Sequence, residues 1–434
     1  MKDLKPGPHA KIGVIGVGYV GLTTAVCLAH LGHTVRAGDV DPDKVAQLSK
    51  GSPTILEDGL EELLREELAS GRLSFVVGAT EAARSSEFVF LCVPTPQRAD
   101  GSADTSTLEQ VVTEIADVIE HEAIVVNKST VPVGSTSVVE RLLRRNDLSV
   151  VSNPEFLREG SALGDALHPD RIVVGADDQR AAARVGALFA GTKAPLIVTD
   201  AATAETIKYA CNAFLATKLS FVNSIACLCE AVGADVRDVL LGMGYDPRIG
   251  FDYLRPGPGW GGSCLPKDTK ALLYSAGQAG YDFDLLRGVI EANDRQQDQV
   301  VAKIRQAAGG SLDGCRVAAW GITFKAGTDD RRDSPAIAVM KRLQSERAVV
   351  SAYDPTVRGP IPELSGISVT TDPYAACDGA RVLVVLTEWE ELRWLDFDKV
   401  RELLAVPCVV DTRNVLDPSA LRRLGYTYTG IGRP

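Results

Sequence analysis

Residues 257 to 272 read GPGWGGSCLPKDTKAL, a glycine- and proline-rich loop with one thiol, Cys264, followed closely by Lys267 and Asp268. A thiolate beside an ammonium has a lowered pKa and attacks carbonyl carbon readily. Glycines such as Gly261 let backbone approach a ligand closely. The loop alone leaves a second reading equally open, because free cysteine commonly packs as a small hydrophobe. That is the expectation for Cys27, Cys92, Cys211, Cys227, Cys229, Cys315, Cys377 and Cys408, all on strand-like or helix-like stretches.

Other polar residues tip the balance toward nucleophilic catalysis. Lys208 and Asn212 in IKYACNAF are spaced i, i+4 and share one helix face, where they could grip one oxygen together. In a largely apolar helix they are awkward to bury without a ligand or partner, the alternative being a solvated stripe. NPEFLREG supplies Glu155 and Glu159 after one strand end, and NKSTVPVG supplies Thr130 at another. Strand C-termini are where ligands sit in doubly wound sheets.

GVGYVG places Gly16, Gly18 and Gly21 as GxGxxG after a strand and at the start of a helix, with Asp39 closing the next strand. Gly16 permits the tight turn, Gly18 the approach of a pyrophosphate to the helix N-terminus, and Gly21 close helix-to-strand packing. A carboxylate at Asp39 accepts hydrogen bonds from a ribose and repels a 2'-phosphate, which favours NAD over NADP. A Rossmann-like fold that binds something else or nothing is the competing reading.

These residues need a frame to hold them. KIGVIGVGYVGLTTAVCLAHLGHTVRAGDVD is a complete βαβ unit, and further strand-like runs follow at FVFLCVPTP, AIVVNKSTVP, LSVVSNPEFL and RIVVGA. Alternating strands and helices predict a parallel sheet covered on both faces. From Ala201 to about Arg295 long helices take over, one predicted from about Ala204 to Ala231 with apolar positions on more than one face, as for a dimer interface. After Ser311 the strand candidates CRVAAWG, AVVSAYDP, ARVLVVLT and PCVVDTRN imply a second, smaller Rossmann-like α/β domain. The expected division is 1–199 for an NAD-binding Rossmann-type domain, 200–298 for a central helical domain and 299–434 for the C-terminal domain.

Bulk properties narrow the function classes. A net charge of -11 argues against a nucleic-acid surface. Nine cysteines without a CxxC pair and five scattered histidines predict reduced thiols, no disulfide framework and no metal site. No stretch has the ~18 uninterrupted apolar residues of a membrane span. The start, MKDLKPGPHAK, shows no secretory signal, and a soluble, cytoplasmic protein is expected.

Taken together, GYVGL, KSTVPVG, NPEFLREG, the Lys208/Asn212 helix, GGSCLPKDTKAL and FKAGTDDRRDSP resemble, in order and across nearly the whole chain, the nucleotide-sugar 6-dehydrogenases of the UDP-glucose/GDP-mannose dehydrogenase family. The resemblance implies two tandem hydride transfers to NAD that oxidise a sugar C6 alcohol to a carboxylate without releasing the aldehyde. Cys264 would carry the thiohemiacetal and thioester, with Lys208 and Asn212 stabilising the oxyanion. Asp268, Thr130 and an ordered water would handle protons, and Glu159 would assist thioester hydrolysis; which carboxylate is the principal base stays open.

The resemblance also implies substrate contacts from Glu155, Phe156, Leu157, Arg248, Tyr253, Leu254, Arg255, Gly261 and Lys267, and from Lys325 and Arg413 in a C-terminal domain that binds the nucleotide. On the cofactor side it adds Tyr19, Val20, Thr95, Lys44 beside Asp39 at the adenosine ribose, and Arg332, with an ordinary surface ion pair as the alternative for the charged residues. Trp260 departs from the phenylalanine common in the family, which bears on lid fit. DPRIGFDYLRPG is similar to the UDP-glucose branch, so UDP-glucose ranks first, with GDP-mannose, dTDP-glucose and UDP-N-acetylmannosamine as alternatives. A homodimer is implied. A nucleotide-sugar sensor and a two-electron alcohol dehydrogenase are the competing functions.

Overall fold

The computed structural model describes residues 9–433, and the start of the chain, in which no leader segment is expected, lies mostly outside them. Two compact units emerge: the chain up to Cys211 together with Lys270–Ala279, and Asn212–Thr269 together with Gly280 onward.

The first unit is built on β1 (Lys11–Ile15), β2 (Thr34–Asp39), β3 (Leu73–Val77), β4 (Phe88–Leu91), β5 (Ile124–Asn127), β6 (Ser149–Ser152), β7 (Ile172–Gly175) and β8 (Leu196–Thr199), in the order β3-β2-β1-β4-β5-β6-β7-β8. The strands β4 and β5, FVFL and IVVN, are buried at every position, as parallel strands covered on both faces must be. Separate apolar clusters form the two faces, one around Val14, Val26 and Phe90 and the other around Ile15, Val89 and Val125. Adjacent strands are parallel from β3 through β6; β7 then pairs antiparallel with β6 through Ser152 and Gly175, and β8 runs parallel to β7. The parallel arrangement predicted from alternation therefore ends at β6.

The second unit carries β9 (Arg316–Trp320), β10 (Val349–Tyr353), β11 (Ser368–Thr370), β12 (Val382–Val385), β13 (Cys408–Asp411) and β14 (Thr427–Gly430), in the order β11-β10-β9-β12-β13-β14. All these pairings are parallel. In both sheets the first strand lies inside, flanked by its second and fourth, which is the doubly wound order. The α/β class read from the sequence is the fold observed.

The helix Ala201–Val232 extends slightly beyond its predicted bounds and stops before Gly233, which takes a left-handed φ of +74°. By length and composition it alone among the described helices could cross a membrane. Glu205 in its first turns is nevertheless buried, accepting from Gly134 N at 2.6 Å, Thr136 N at 2.9 Å and Thr136 Oγ1 at 2.8 Å. That carboxylate caps the helix Ser135–Leu143, whose own cap residue is a glycine, and so fixes the turn that precedes Lys208.

Candidate active site

The first glycine turn is built for close approach. Gly16 has φ +88° and donates its N–H to Gly38 O at 2.8 Å, while a Cβ on it would meet Cys92 O at 2.8 Å. A Cβ on Gly21 would lie 1.8 Å from Gly16 O, so helix and strand meet there as predicted. Gly18 differs: its Cβ would meet nothing within 4 Å, and it heads the helix Tyr19–His30 without any side-chain cap. Open space before uncapped N–H groups suits a diphosphate, so the residues fit a dinucleotide.

Asp39 accepts from Val17 N at 3.0 Å, Asp41 N at 3.2 Å and Lys44 Nζ at 3.1 Å. Burial acts to raise its pKa, but the two backbone donors and Lys44 outweigh it and hold the carboxyl below its ordinary value. Thr95 and Thr130 are brought together at the ends of β4 and β5, Thr95 Oγ1 donating to Thr130 O at 2.7 Å. Tyr19 donates its hydroxyl to Glu57, a residue with no motif to advertise it, and accepts from Gly160 N at 2.5 Å.

Deeper in the same unit, Lys208 and Glu155 form a buried ion pair at 2.8 Å, and Leu157 N donates to the other oxygen of Glu155 at 2.6 Å. Burial acts to raise the pKa of Glu155, but the Lys208 charge and hydrogen bond, the Leu157 N–H and the Lys128 charge bring it below the ordinary value. The Phe156 ring lies under the guanidinium of Arg171 at 3.7 Å and within 5.5 Å of Lys208 Nζ. Sequence reasoning passed over Lys128, although NKSTVPVG contains it. It is buried, donates to Asn153 Oδ1 at 3.2 Å, and has its pKa lowered chiefly by burial.

In the second unit Cys264 is half-buried and immediately precedes the helix Leu265–Gln278, where the helix dipole favours negative charge. Its neighbour Ser263 places Oγ 3.5 Å from the sulfur. Asp268, one turn on and 1% exposed, accepts from Asn212 Nδ2 at 2.6 Å and Lys267 Nζ at 2.5 Å. Lys208 and Asn212 thus each have a carboxylate of their own, Glu155 for one and Asp268 for the other.

The glycines before the cysteine serve packing. A Cβ on Gly261 would fall 2.0 Å from Asp333 O, and one on Gly262, with φ +86°, 2.7 Å from the Phe324 ring. The loop was expected to keep its glycines for a ligand, but at these two positions protein atoms already occupy the space. Trp260 is buried too: its N–H donates to Asn293 Oδ1 at 2.7 Å and its indole to Ser220 Oγ at 2.9 Å. Those polar partners lie inside helices and left no motif in the sequence.

Arg413 joins three loops: Nε donates to Leu386 O at 3.0 Å, Nη2 to Phe324 O at 3.0 Å, and a Cβ on Gly257 would lie 3.0 Å from Nη1. Lys325, next to Phe324, stands 5.6 Å above its ring. Leu254 packs in the apolar core, whereas Tyr253 before it takes φ +61° and Arg255 is exposed. Arg248 and Arg332 are exposed and paired with Asp246 and Asp330. Val20 is half-buried in the helix Tyr19–His30. Among the described residues no cluster of His, Cys, Asp or Glu could hold a metal.

Three family models match, all of the UDP-glucose/GDP-mannose dehydrogenase family: the NAD binding domain over residues 10–193, the central domain over 202–295 and the UDP binding domain over 318–418. A UDP-glucose 6-dehydrogenase of Rhizobium meliloti is 45% identical, covering 98% of this chain and 100% of the relative. A UDP-glucose dehydrogenase structure from Pyrobaculum islandicum superposes with TM-score 0.89 at 35% identity, covering 100% of this chain and 99% of that one. The UDP-D-ManNAc dehydrogenase structure from Pyrococcus horikoshii gives 0.87 at 28% identity, covering 98% and 99%. The chain therefore belongs to the UDP-glucose/GDP-mannose dehydrogenase family and is an NAD-dependent dehydrogenase.

Proposed function

We propose that the chain oxidises the C6 alcohol of UDP-glucose to the carboxylate of UDP-glucuronic acid in two two-electron steps. The observation that carries this reading is Cys264 at the start of a helix whose first turn also presents Asp268, itself held by Asn212 and Lys267. Bound NAD supplies the hydride acceptor, once for each oxidation. In the first oxidation C6 loses a hydride and its hydroxyl a proton, giving an aldehyde. The Cys264 sulfur adds to that carbon to form a thiohemiacetal, loss of a second hydride leaves a thioester, and water cleaves the C–S bond to release carboxylate and thiol.

Lys208 and Asn212 are assigned to the oxygen that becomes negative, where each preorganised donor is worth about 3 kcal/mol. Glu155 and Asp268 fix the positions of these donors. Asp268 and Thr130 manage the protons with an ordered water, and Glu159 activates the hydrolytic water. For the substrate we assign Phe156, Leu157, Arg248, Tyr253, Leu254, Arg255, Gly261, Lys267, Lys325 and Arg413, with only backbone offered at Gly261 and Leu254. Gly16, Gly18, Tyr19, Val20, Gly21, Asp39, Lys44, Thr95 and Arg332 are assigned to NAD.

UDP-glucose is preferred over GDP-mannose, dTDP-glucose and UDP-N-acetylmannosamine because DPRIGFDYLRPG is similar to the UDP-glucose branch and the relative at 45% identity is a UDP-glucose 6-dehydrogenase. We keep the division at 1–199, 200–298 and 299–434, with the middle part as the dimerisation region. Phe214, Phe221 and Leu228 recur every seven residues along the helix Ala201–Val232 and are 64%, 51% and 55% exposed, a stripe suited to a second copy of the chain. Nine free thiols suit a reducing cytoplasm.

Counting NADH against UDP-glucuronic acid tests the function. Two NADH per uronic acid are expected with UDP-glucose, and far slower turnover with the other three sugar nucleotides. One NADH with accumulating aldehyde would replace this reading by the two-electron alcohol dehydrogenase, and no NADH by the sensor.

A further inference from the structure

Glu57 lies in the segment before the helix Leu60–Ala69, is 8% exposed, and takes no part in the chemistry described so far. Its carboxylate accepts from neutral donors in two distant parts of the first unit. Oε2 accepts from the Tyr19 hydroxyl and from Gly160 N at 2.8 Å, and Oε1 accepts from Leu163 N at 3.2 Å. Gly160 N also donates to the Tyr19 oxygen at 2.5 Å, so Tyr19, Glu57 and Gly160 close a ring of hydrogen bonds.

Each arm reaches something that matters. Tyr19 is the first residue of the helix whose open N-terminus begins at Gly18. Gly160 follows Glu159 and takes φ +79°, a conformation a side chain would resist. Leu163 packs in the core cluster that also holds Val14 and Leu22, and a Cβ on Gly59 would touch it at 3.4 Å. The charge of Glu159 is close enough to bear on the Tyr19 hydroxyl, whose pKa is raised first by burial, then by Glu57. Burying a carboxylate costs free energy unless its lone pairs are met, and here donors from the cofactor helix and the Glu159 loop meet them together.

We propose that Glu57 is a positioning residue, a buried carboxylate that locks the Glu159–Gly160 turn onto Tyr19 and so preforms the mouth of the dinucleotide site. Without it the Tyr19 hydroxyl and Leu163 N lose their acceptor and Gly160 N keeps only the Tyr19 oxygen, so the turn and the ring are held less firmly and cofactor binding must order both. The inference rests on the assignment of Gly18 and Tyr19 to NAD, and goes beyond it by naming the group that keeps that end of the site in shape.

The test uses the full-length protein and its Glu57→Gln and Glu57→Ala variants, with NADH affinity read by fluorescence titration. Glutamine keeps one acceptor oxygen but presents N–H to the remaining donors, and alanine removes both acceptors. NADH Kd should rise by about 5-fold for glutamine and about 30-fold or more for alanine, in line with one and then several hydrogen bonds to a charged acceptor. KM for NAD should rise in the same order while KM for UDP-glucose stays within about twofold of the parent, a split that general loosening of the fold does not produce. Thermal unfolding identifies any variant that fails to fold, and the glutamine variant then decides alone. Parent-like NADH affinity in folded variants would overturn the proposal, as would equal rises in both KM values. If the parent made one NADH per sugar, the thioester reading would fall, yet the order of NADH affinities would still judge Glu57.

Discussion

The two sheets begin with the same turn and then part company. After β1, Gly16 donates its N–H to Gly38 O at 2.8 Å and Val17 N donates to Asp39; after β9, Gly321 donates to Tyr353 O at 2.7 Å and Ile322 N donates to Asp354. Both glycines take positive φ, +88° and +104°. In the first unit a helix starts at once, at Tyr19, with no side-chain cap and open space at Gly18. In the second the helix starts only at Pro335, and Ser334 caps it while also donating to Ile322 O at 2.7 Å. Asp354 is consumed as well, by Ile322 N, Thr323 N, Thr356 N and the Trp389 indole. One topology thus leaves bonds unmade at the turn we assign as the cofactor cradle, and makes them internally in the second unit. In the second unit the charges we assign to the nucleotide sit on loop side chains, Lys325 and Arg413, the latter already paired with Glu388 at 3.0 Å.

The sharpest way to break this contrast is to fill the cradle. Gly18→Val should raise the Kd for NADH by about 100-fold, the ~3 kcal/mol expected when backbone donors can no longer reach a diphosphate, with no loss of fold because the added Cβ meets nothing. Titration with NADH alongside thermal unfolding reads both halves; parent-like affinity would refute the cradle.

Asp354→Asn should do the opposite, costing about 2 kcal/mol of unfolding free energy in urea while leaving NADH affinity unchanged. A lost cofactor affinity without loss of stability would mean that the second turn is no mere scaffold.

At Asp39 the contrast can be sharpened further. Asp39→Ala should weaken NAD by about tenfold and narrow the preference over NADP, measured as kcat/KM for each cofactor. Better turnover of the parent with NADP would end the ribose assignment.

The smallest effect concerns pH. The carboxyl of Asp39 is held below its ordinary value in the folded state, so its stabilising contribution is present above that ordinary value and lost as pH falls through the lowered one. Urea titrations at a series of acidic pH values should therefore show a shallower acid limb for Asp39→Ala than for the parent.

How much of this was legible follows the same physics. The ten strands named from the sequence are the interior ones, such as β4 and β12, whose residues are buried on both faces and read as unbroken apolar runs. The four overlooked, β3, β8, β11 and β14, are the sheet edges. There one side lacks a neighbour, exposure mixes with burial, and LSFVV or SVT carries little periodic signal. The site residues proposed from the sequence sit mostly inside motifs, where the chemistry itself demands them at fixed spacing. Glu57, Asn293 and Ser220 answer to donors far away in sequence, and only the folded chain shows which. The GWGGSC glycines were read as room for a ligand, whereas Asp333 and Phe324 take up that room; sequence shows that space is needed, not who fills it.

The most direct test of the account is intact-protein mass spectrometry of Cys264→Ser and Cys264→Ala after incubation with UDP-glucose and NAD. A serine alkoxide can still add to the aldehyde, and the ester formed on oxidation hydrolyses more slowly than a thioester, so the serine variant should carry a sugar-nucleotide adduct. The alanine variant should carry none and transfer at most one hydride. Uronic acid made by the alanine variant at close to the parent rate would show that Cys264 is not the nucleophile.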